Sequence, residues 1–234
     1  MSDIVSPASS EIASGQVMLV LPLGAWEQHG PHLPLDTDTI IVTSVVQRGI
    51  AHSNIPQNQV LVAPVLAITA SDEHAGFSGG LSTGTRALVD SVVSICRSAA
   101  PWSAGVLIAN GHGGNFDALK DIASALDYEK ITHSIWSLPS YDGADMHAGK
   151  TETSLMLHLA PHTVRRDAIP PVAVSKIDMT AMRQHGVQAV SPSGVLGAPA
   201  AATTDHGQEV LALYTESFVD RLRMCASQWL NVGQ

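Results

Sequence analysis

The chain is short of charge. Only 14% of its 234 residues are Asp, Glu, Lys or Arg, against about 25% in ordinary soluble domains. So little charged surface fits either burial between subunits or an exterior rich in Ala, Ser and Thr, and composition leaves both open. Basic residues are the scarcer kind: 12 Lys and Arg face 21 Asp and Glu, for a net charge of −9. Nucleic acids and anionic membranes both require clustered Lys and Arg, so neither partner is expected. Cysteine is nearly absent. Cys96 and Cys225 are the two present, both inside apolar, helical-looking stretches, which reads as buried thiols in a reducing compartment with no disulfide framework. No apolar run approaches the roughly 18 residues of a membrane helix. The first residues, MSDIVSPASSEIASG, have neither the basic nor the apolar region of a secretory signal. A soluble, cytoplasmic protein is expected.

What is present is an alternation. QVMLVLPL (16–23), VLVAPVLAI (60–68), GVLIAN (105–110) and THSIWSL (132–138) are apolar runs of strand length. The first three read as strands buried on both faces. Between and after them, 39–52, 86–100, 116–129, 152–160 and 205–230 read as helices. Strands alternating with helices imply an α/β fold with a mostly parallel central sheet covered on both sides. Residues 1–15 read as a loose leader and 16–234 as a single domain, with 161–202 Pro-rich and irregular. In such folds ligands bind at the carboxyl ends of the strands.

Three polar clusters fall just there. GAWEQHGPHLPLDTDT (24–39) holds Glu27 and His29, whose i, i+2 spacing turns both side chains to one face in extended backbone. Asp36 and Asp38 repeat the spacing; either could bridge two metals, and either could instead cap the helix that follows. Of this stretch, Asp36 and His32 are read as supporting residues. NGHGGN (110–115) sets His112 at a strand end among glycines that permit close backbone approach. A helix begins directly afterwards, so Gly113, Gly114 and Asn115 are candidate substrate contacts through free N–H groups. DMHAGKTETS (145–154) carries His147 on a loop and Glu152 at the first turn of a helix, where Thr151 and Glu152 could equally form a cap. SDEHAGFSGG (71–80) adds Asp72, Glu73 and His74, read as a wall or lid on the substrate side.

Glu27, His29, Asp38, His112 and Glu152 are therefore the candidate ligands. Their oxygen and imidazole donors suit Zn²⁺, Mn²⁺ or Fe²⁺. With one bridging carboxylate they suffice for two divalent ions, which together make hydroxide accessible near neutral pH and polarise a carbonyl. His147, not required as a ligand, is free to carry a proton to a leaving amine. The chemistry implied is hydrolysis of a C–N bond.

EQHGPHLPLDTD, NGHGGN and HAGKTETSLML, in that order and spacing, resemble the creatininase family of metal-dependent amidohydrolases. The resemblance runs from about Val17 to the last helix. It implies a three-layer α/β/α sandwich, two divalent metals per subunit and a homo-oligomer, often a hexamer. It also implies that Glu27, His29, Asp38 (bridging) and His112 bind metal and that His147 transfers the proton. Creatinine-hydrolysing members carry a glutamate two residues beyond the strand-end histidine; here that residue is Gly114, which suggests that Glu152 completes the second metal site. Such members also have tryptophans before the proton-transferring histidine, and SYDGADM has none. The stretch 186–203 and the opening motif are most similar to the mycofactocin-system members, peptidases that release a C-terminal Val-Tyr dipeptide from a modified precursor peptide. Ser78 and Gly80 depart from their pattern, where Pro and Thr stand. The alternatives are a small-molecule amidohydrolase acting on creatinine or a formamide, and a metal-binding scaffold without turnover.

Overall fold

The computed structural model describes residues 7–171 and 177–230. The first part of the predicted leader, and 172–176 of the irregular segment, lie outside the described residues. Strands β1 (Met18–Leu23), β2 (Val60–Val62), β3 (Gly105–Asn110) and β4 (His133–Ser137) form one sheet in the order β2-β1-β3-β4, every pairing parallel. Helices α1 (Thr37–His52), α2 (Gly84–Ala99), α3 (Phe116–Tyr128), α4 (Lys150–Leu159), α5 (Met179–His185) and α6 (Thr204–Trp229) surround it.

Side chains that alternate along a strand must find apolar cover on both faces. All six residues of β1 and of β3 are buried. Met18, Val20, Leu107 and Ala109 pack against α1, α4 and α6 through residues such as Val42, Met156 and Phe218. Leu19, Leu21, Val106 and Ile108 pack on the other face against α2 and α3, through Val92, Cys96 and Ile122. The result is the three-layer α/β/α sandwich that the alternation of elements predicts. Cys96 and Cys225 are free, buried and assigned to opposite layers.

The structure departs from the sequence reading at β2. A buried strand over 60–68 is expected, but β2 stops at Val62 and only Leu66 returns to the ladder, bridging Leu23. Pro64 has no N–H to offer a ladder, and β2 is an edge strand whose residues are half-buried. In the irregular segment, α5 forms a short helix that periodicity did not predict; Asp178 caps it, its Oδ1 accepting from Thr180 and Ala181 N–H at 2.9 Å.

The topology positions the site. From β1 the chain passes through α1 to β2 on one side, and β3 lies on the other side of β1. The connections leaving β1 and β3 thus open a crevice outside their carboxyl ends, the switch point where α/β sheets bind ligands. Gly111 N–H donates to Leu23 O at 2.8 Å and ties the two strand ends together there.

Candidate metal centre

The loop leaving β1 closes on itself where Glu27 N–H donates to Leu35 O at 3.0 Å. Gly24 lets this loop pass against α1, since a Cβ there would overlap Thr39. Glu27 and His29 are wholly buried at 0% exposure, and Asp38, the second residue of α1, is 3% exposed. The helix starts two residues before the predicted Thr39, because Asp36 O already accepts from Ile40 N–H at 2.9 Å. Asp36 holds the N-cap position but makes no side-chain cap, so Asp38 lies inside the helix with its carboxylate turned to the crevice. His112 follows β3, and Glu152 sits in the first turn of α4, where one of its oxygens accepts from Ala148 N–H at 2.6 Å.

These side chains converge in two groups, Glu27–Asp38–His112 and His29–Asp38–Glu152, each with donor atoms within 4.8 Å of one another. Asp38 belongs to both. Its Oδ2 lies 3.1 Å from His112 Nδ1 and its Oδ1 3.4 Å from His29 Nε2. Glu152 Oε2 is 3.7 Å from His29 Nε2, and Glu27 Oε2 is 3.2 Å from His112 Nε2. Both imidazoles are held by main-chain carbonyls: His29 Nδ1–H donates to Glu27 O at 3.2 Å and His112 Nε2–H to Ala70 O at 2.9 Å. Fixing one ring N–H this way leaves His29 Nε2 and His112 Nδ1 as the nitrogens that would offer a lone pair once a metal displaces their protons, the usual device for orienting metal-binding histidine.

Burial of so many polar atoms without partners is costly unless a cation joins them. Glu27 Oε1 and Oε2, His29 Nε2 and Asp38 Oδ2 are all buried without a hydrogen-bond partner. In the chain alone protons take up the imbalance. Burial pushes Glu27 up to about 8, with His112 opposing. Burial works against charge on His29 and His112, yet Asp38 on the first and Glu27 on the second hold each up at about 10. Asp38 is held far below the usual carboxylate range: burial opposes this, but the charges of His29 and His112 beside it outweigh it. The oxygen and nitrogen donor set and its orphaned atoms fit divalent Zn, Mn or Fe.

The other predicted residues surround this centre. His147 Nε2–H donates to Gln28 O at 2.7 Å, leaving Nδ1 3.5 Å from Glu27 Oε1, and its ring lies 4.3 Å from that of His29. Burial first, then the charge of His29, keeps it well below the ordinary imidazole value. Ala148, next in the chain, has φ +53, a left-handed conformation uncommon for alanine that turns His147 inward before α4. His74 is buried rather than at a rim: Gln28 Nε2–H donates to its Nδ1 at 2.8 Å, so its Nε2–H faces Glu27 Oε1 at 3.3 Å. Burial lowers it to about 3, so it is neutral. His32 is buried behind the loop, sharing a 2.8 Å hydrogen bond with Thr153 Oγ1 of α4, and burial lowers it to about 4. Asn115 is spent on structure: its Oδ1 accepts from Ala70 N–H at 3.2 Å and its Nδ2 donates to Asn110 at 3.0 Å. Gly113 alone of the glycine run faces open space, and a Cβ at Gly114 would overlap Glu73 Oε1 and His112 Nε2. Sequence reading missed Gln28, whose amide ties His74 and Gly194 O together beneath His147. Its position between two candidate ligands was its only signal.

Fold and site together define an α/β protein whose strand ends carry a carboxylate–imidazole centre suited to divalent metal. The chain belongs to the creatininase family of hydrolases: residues 2–222 match the family model described as Creatininase: Creatinine amidohydrolase. It is 41% identical over 229 residues to a Mycobacterium tuberculosis (strain CDC 1551 / Oshkosh) protein named mycofactocin precursor peptide peptidase, covering 95% of this chain and 91% of that one. It is 27% identical over 246 residues to creatinine amidohydrolase of Pseudomonas putida, covering 92% of each. A solved mutant creatininase of Zn-Zn type shares the fold, with TM-score 0.70 at 23% identity over 90% of this chain and 91% of that chain.

Proposed function

We propose that the chain is a dinuclear metal-dependent peptidase that releases a C-terminal Val-Tyr dipeptide from the modified mycofactocin precursor peptide. The observation that carries this reading is the 41% identity, over 95% of the chain, to a relative named for that activity. Glu27 and His112 would hold one ion, His29 and Glu152 the other, and Asp38 would serve both, in keeping with the two donor groups that share it. When bound, the metals supply a Lewis acid and make hydroxide accessible near neutral pH. His147 is neutral, with Nε2–H fixed on Gln28 O and Nδ1 open, so Nδ1 takes the proton released by the attacking water and delivers it to the leaving amine of the valine. Gly113 leaves its backbone open to the substrate. A cavity of about 380 Å³ is lined by Met146, Ile177, Met179 and Leu196 among others, and Leu196 N–H donates to His147 O at 2.8 Å. Its largely apolar wall suits a valine or tyrosine side chain. In the cell the protein acts in the cytoplasm as a homo-oligomer, a setting consistent with its two free thiols.

The test is incubation of the metal-loaded protein with the enzymatically modified precursor, its unmodified form and creatinine, read by mass spectrometry. Release of Val-Tyr from the modified peptide is expected. Turnover of creatinine without dipeptide release would replace this reading with the small-molecule amidohydrolase. No turnover of any substrate by a protein that holds both metals would leave a scaffold.

A further inference from the structure

Position 114 is not merely without a side chain; its space is taken. A Cβ there would overlap Glu73 Oε1 and His112 Nε2 and lie 2.7 Å from Ala70 O. Glu73 comes from the loop after β2, far away in sequence, and its carboxylate stands 3.5 Å from His112 Nε2. It is not needed there as a hydrogen-bond acceptor, because His112 Nε2–H already donates to Ala70 O at 2.9 Å. What it faces is Glu27. Glu27, Glu73 and His74 bring donor atoms within 4.8 Å of one another. Of these, His74 turns its Nε2–H toward Glu27, since its Nδ1 accepts from Gln28. The remaining pair is two carboxylates, and both oxygens of the fully buried Glu27 have no hydrogen-bond partner. Two carboxylates so placed are stabilised either by a proton or by a cation between them, and a divalent ion would satisfy both at once.

The loop is built to hold this aim. Glu73 is the middle residue of a single 3₁₀ turn, Asp72–His74. Ser71 N–H donates to Ser82 Oγ at 2.9 Å, Ser82 Oγ donates to Asp72 at 2.6 Å, and Ala70 N–H donates to Asn115 at 3.2 Å. Gly186 lets a further segment close over the Glu73 carbonyl, which a Cβ at 186 would meet at 2.8 Å.

We propose that Glu73 is a metal ligand, supplying a further carboxylate to the divalent transition-metal ion held by Glu27, Asp38 and His112 and entering through the space that glycine leaves at 114. This deepens the two-metal reading above and rests on it. The metal centre would then draw on the β2 loop as well as on the three sequence clusters, and a side chain at 114 and a carboxylate from 73 would be mutually exclusive.

The experiment is metal binding by the whole protein, wild type and Glu73→Gln, each stripped and reloaded with Zn²⁺ and separately with Co²⁺. Gln keeps the size and a hydrogen-bonding oxygen but loses the charge, and circular dichroism checks that the variant is folded. Chelator competition is expected to show two ions per wild-type chain, with the affinity of one weakened in Glu73→Gln beyond the roughly 10- to 100-fold that loss of an outer-shell partner causes and that of the other unchanged. The visible spectrum of the cobalt form is expected to change in shape and intensity at saturation, as loss of a ligand requires. Equal affinities in the two proteins would overturn the inference and leave the proposed function standing. A weakened affinity with an unchanged cobalt spectrum would also overturn it, making Glu73 a positioning residue outside the coordination shell. A wild-type chain that holds no metal would remove the two-metal reading itself. A Glu73→Ala chain serves if the Gln variant does not fold.

Discussion

Replacing Asp38 by asparagine removes one negative charge and almost no volume, and it strikes the one residue common to both donor groups. Two effects follow. In the metal-free chain the Asp38 carboxylate separates two imidazoles, 3.1 Å from His112 Nδ1 and 3.4 Å from His29 Nε2. Removing one partner of a buried charge pair costs about 3–5 kcal/mol, so the metal-free melting temperature should fall outright. The second effect is on metal linkage. With free metal about 100-fold above the dissociation constant, each site adds roughly 2.7 kcal/mol, so two sites add about 5. For a chain of this size that is about 10–20 °C of melting temperature between the loaded and the chelator-treated protein. Asp38→Asn should abolish nearly all of that gap. Glu152→Gln touches one group only, so it should remove about half of it, roughly 5–10 °C. The assay is a pair of melts, with metal and with chelator, alongside metal analysis of each protein. Reading the gap rather than the absolute melt separates linkage from the packing cost. Two ions and a full gap in Asp38→Asn would refute the bridge. Loss of both ions in Glu152→Gln would refute the division into two sites.

His147→Asn should lower kcat by about 10²–10⁴-fold while metal content stays at the wild-type value; a parallel loss of metal would show that His147 is a ligand instead. Gly194→Ala should destabilise the fold by about 1–3 kcal/mol and depress turnover, because a Cβ at this φ +80 position would overlap the Gln28 amide beneath His147; a variant with the wild-type melt and rate would contradict that packing. His32 is lowered by burial to about 4 in the folded state, below its unfolded value of about 6.5. The unfolded chain therefore takes up the proton first, and its contribution to stability is present above about pH 6.5 and lost as the pH falls toward 4. Between pH 7 and pH 5 this amounts to about 2 kcal/mol. Urea titrations of wild type and His32→Asn, both metal-free, should differ in their pH dependence by that amount, and parallel curves would refute it.

Much of the architecture is legible in the amino-acid sequence. The runs 16–23 and 105–110 are continuous and apolar because both faces of a central parallel strand are covered, and β1 and β3 are buried throughout. The run 60–68 looked the same and was not: an edge strand interrupted by Pro64 buries only part of each residue. Composition cannot tell an edge from a centre, since that depends on which strands arrive beside it. At the site, Glu27, His29, His112 and Glu152 stood out because the ligand types cluster after strands. Asp36 and Asp38 share one spacing; the resemblance singled out Asp38, and the start of α1 at Thr37 turns that residue inward.

The amino-acid sequence by itself determined the α/β alternation, the layers, the kinds of donor atom and the family, because each is written in local periodicity, residue chemistry and motif order. Tertiary structure alone decided which atoms meet. It set Asp38 between His29 and His112, put Gln28 beneath two histidines, buried His74 against Glu27 and brought Glu73 into the space at Gly114. Most of those contacts join segments about 40 or more residues apart, and their reason is packing: a buried centre can be assembled only where the strand ends, the β2 loop and α4 close on one another.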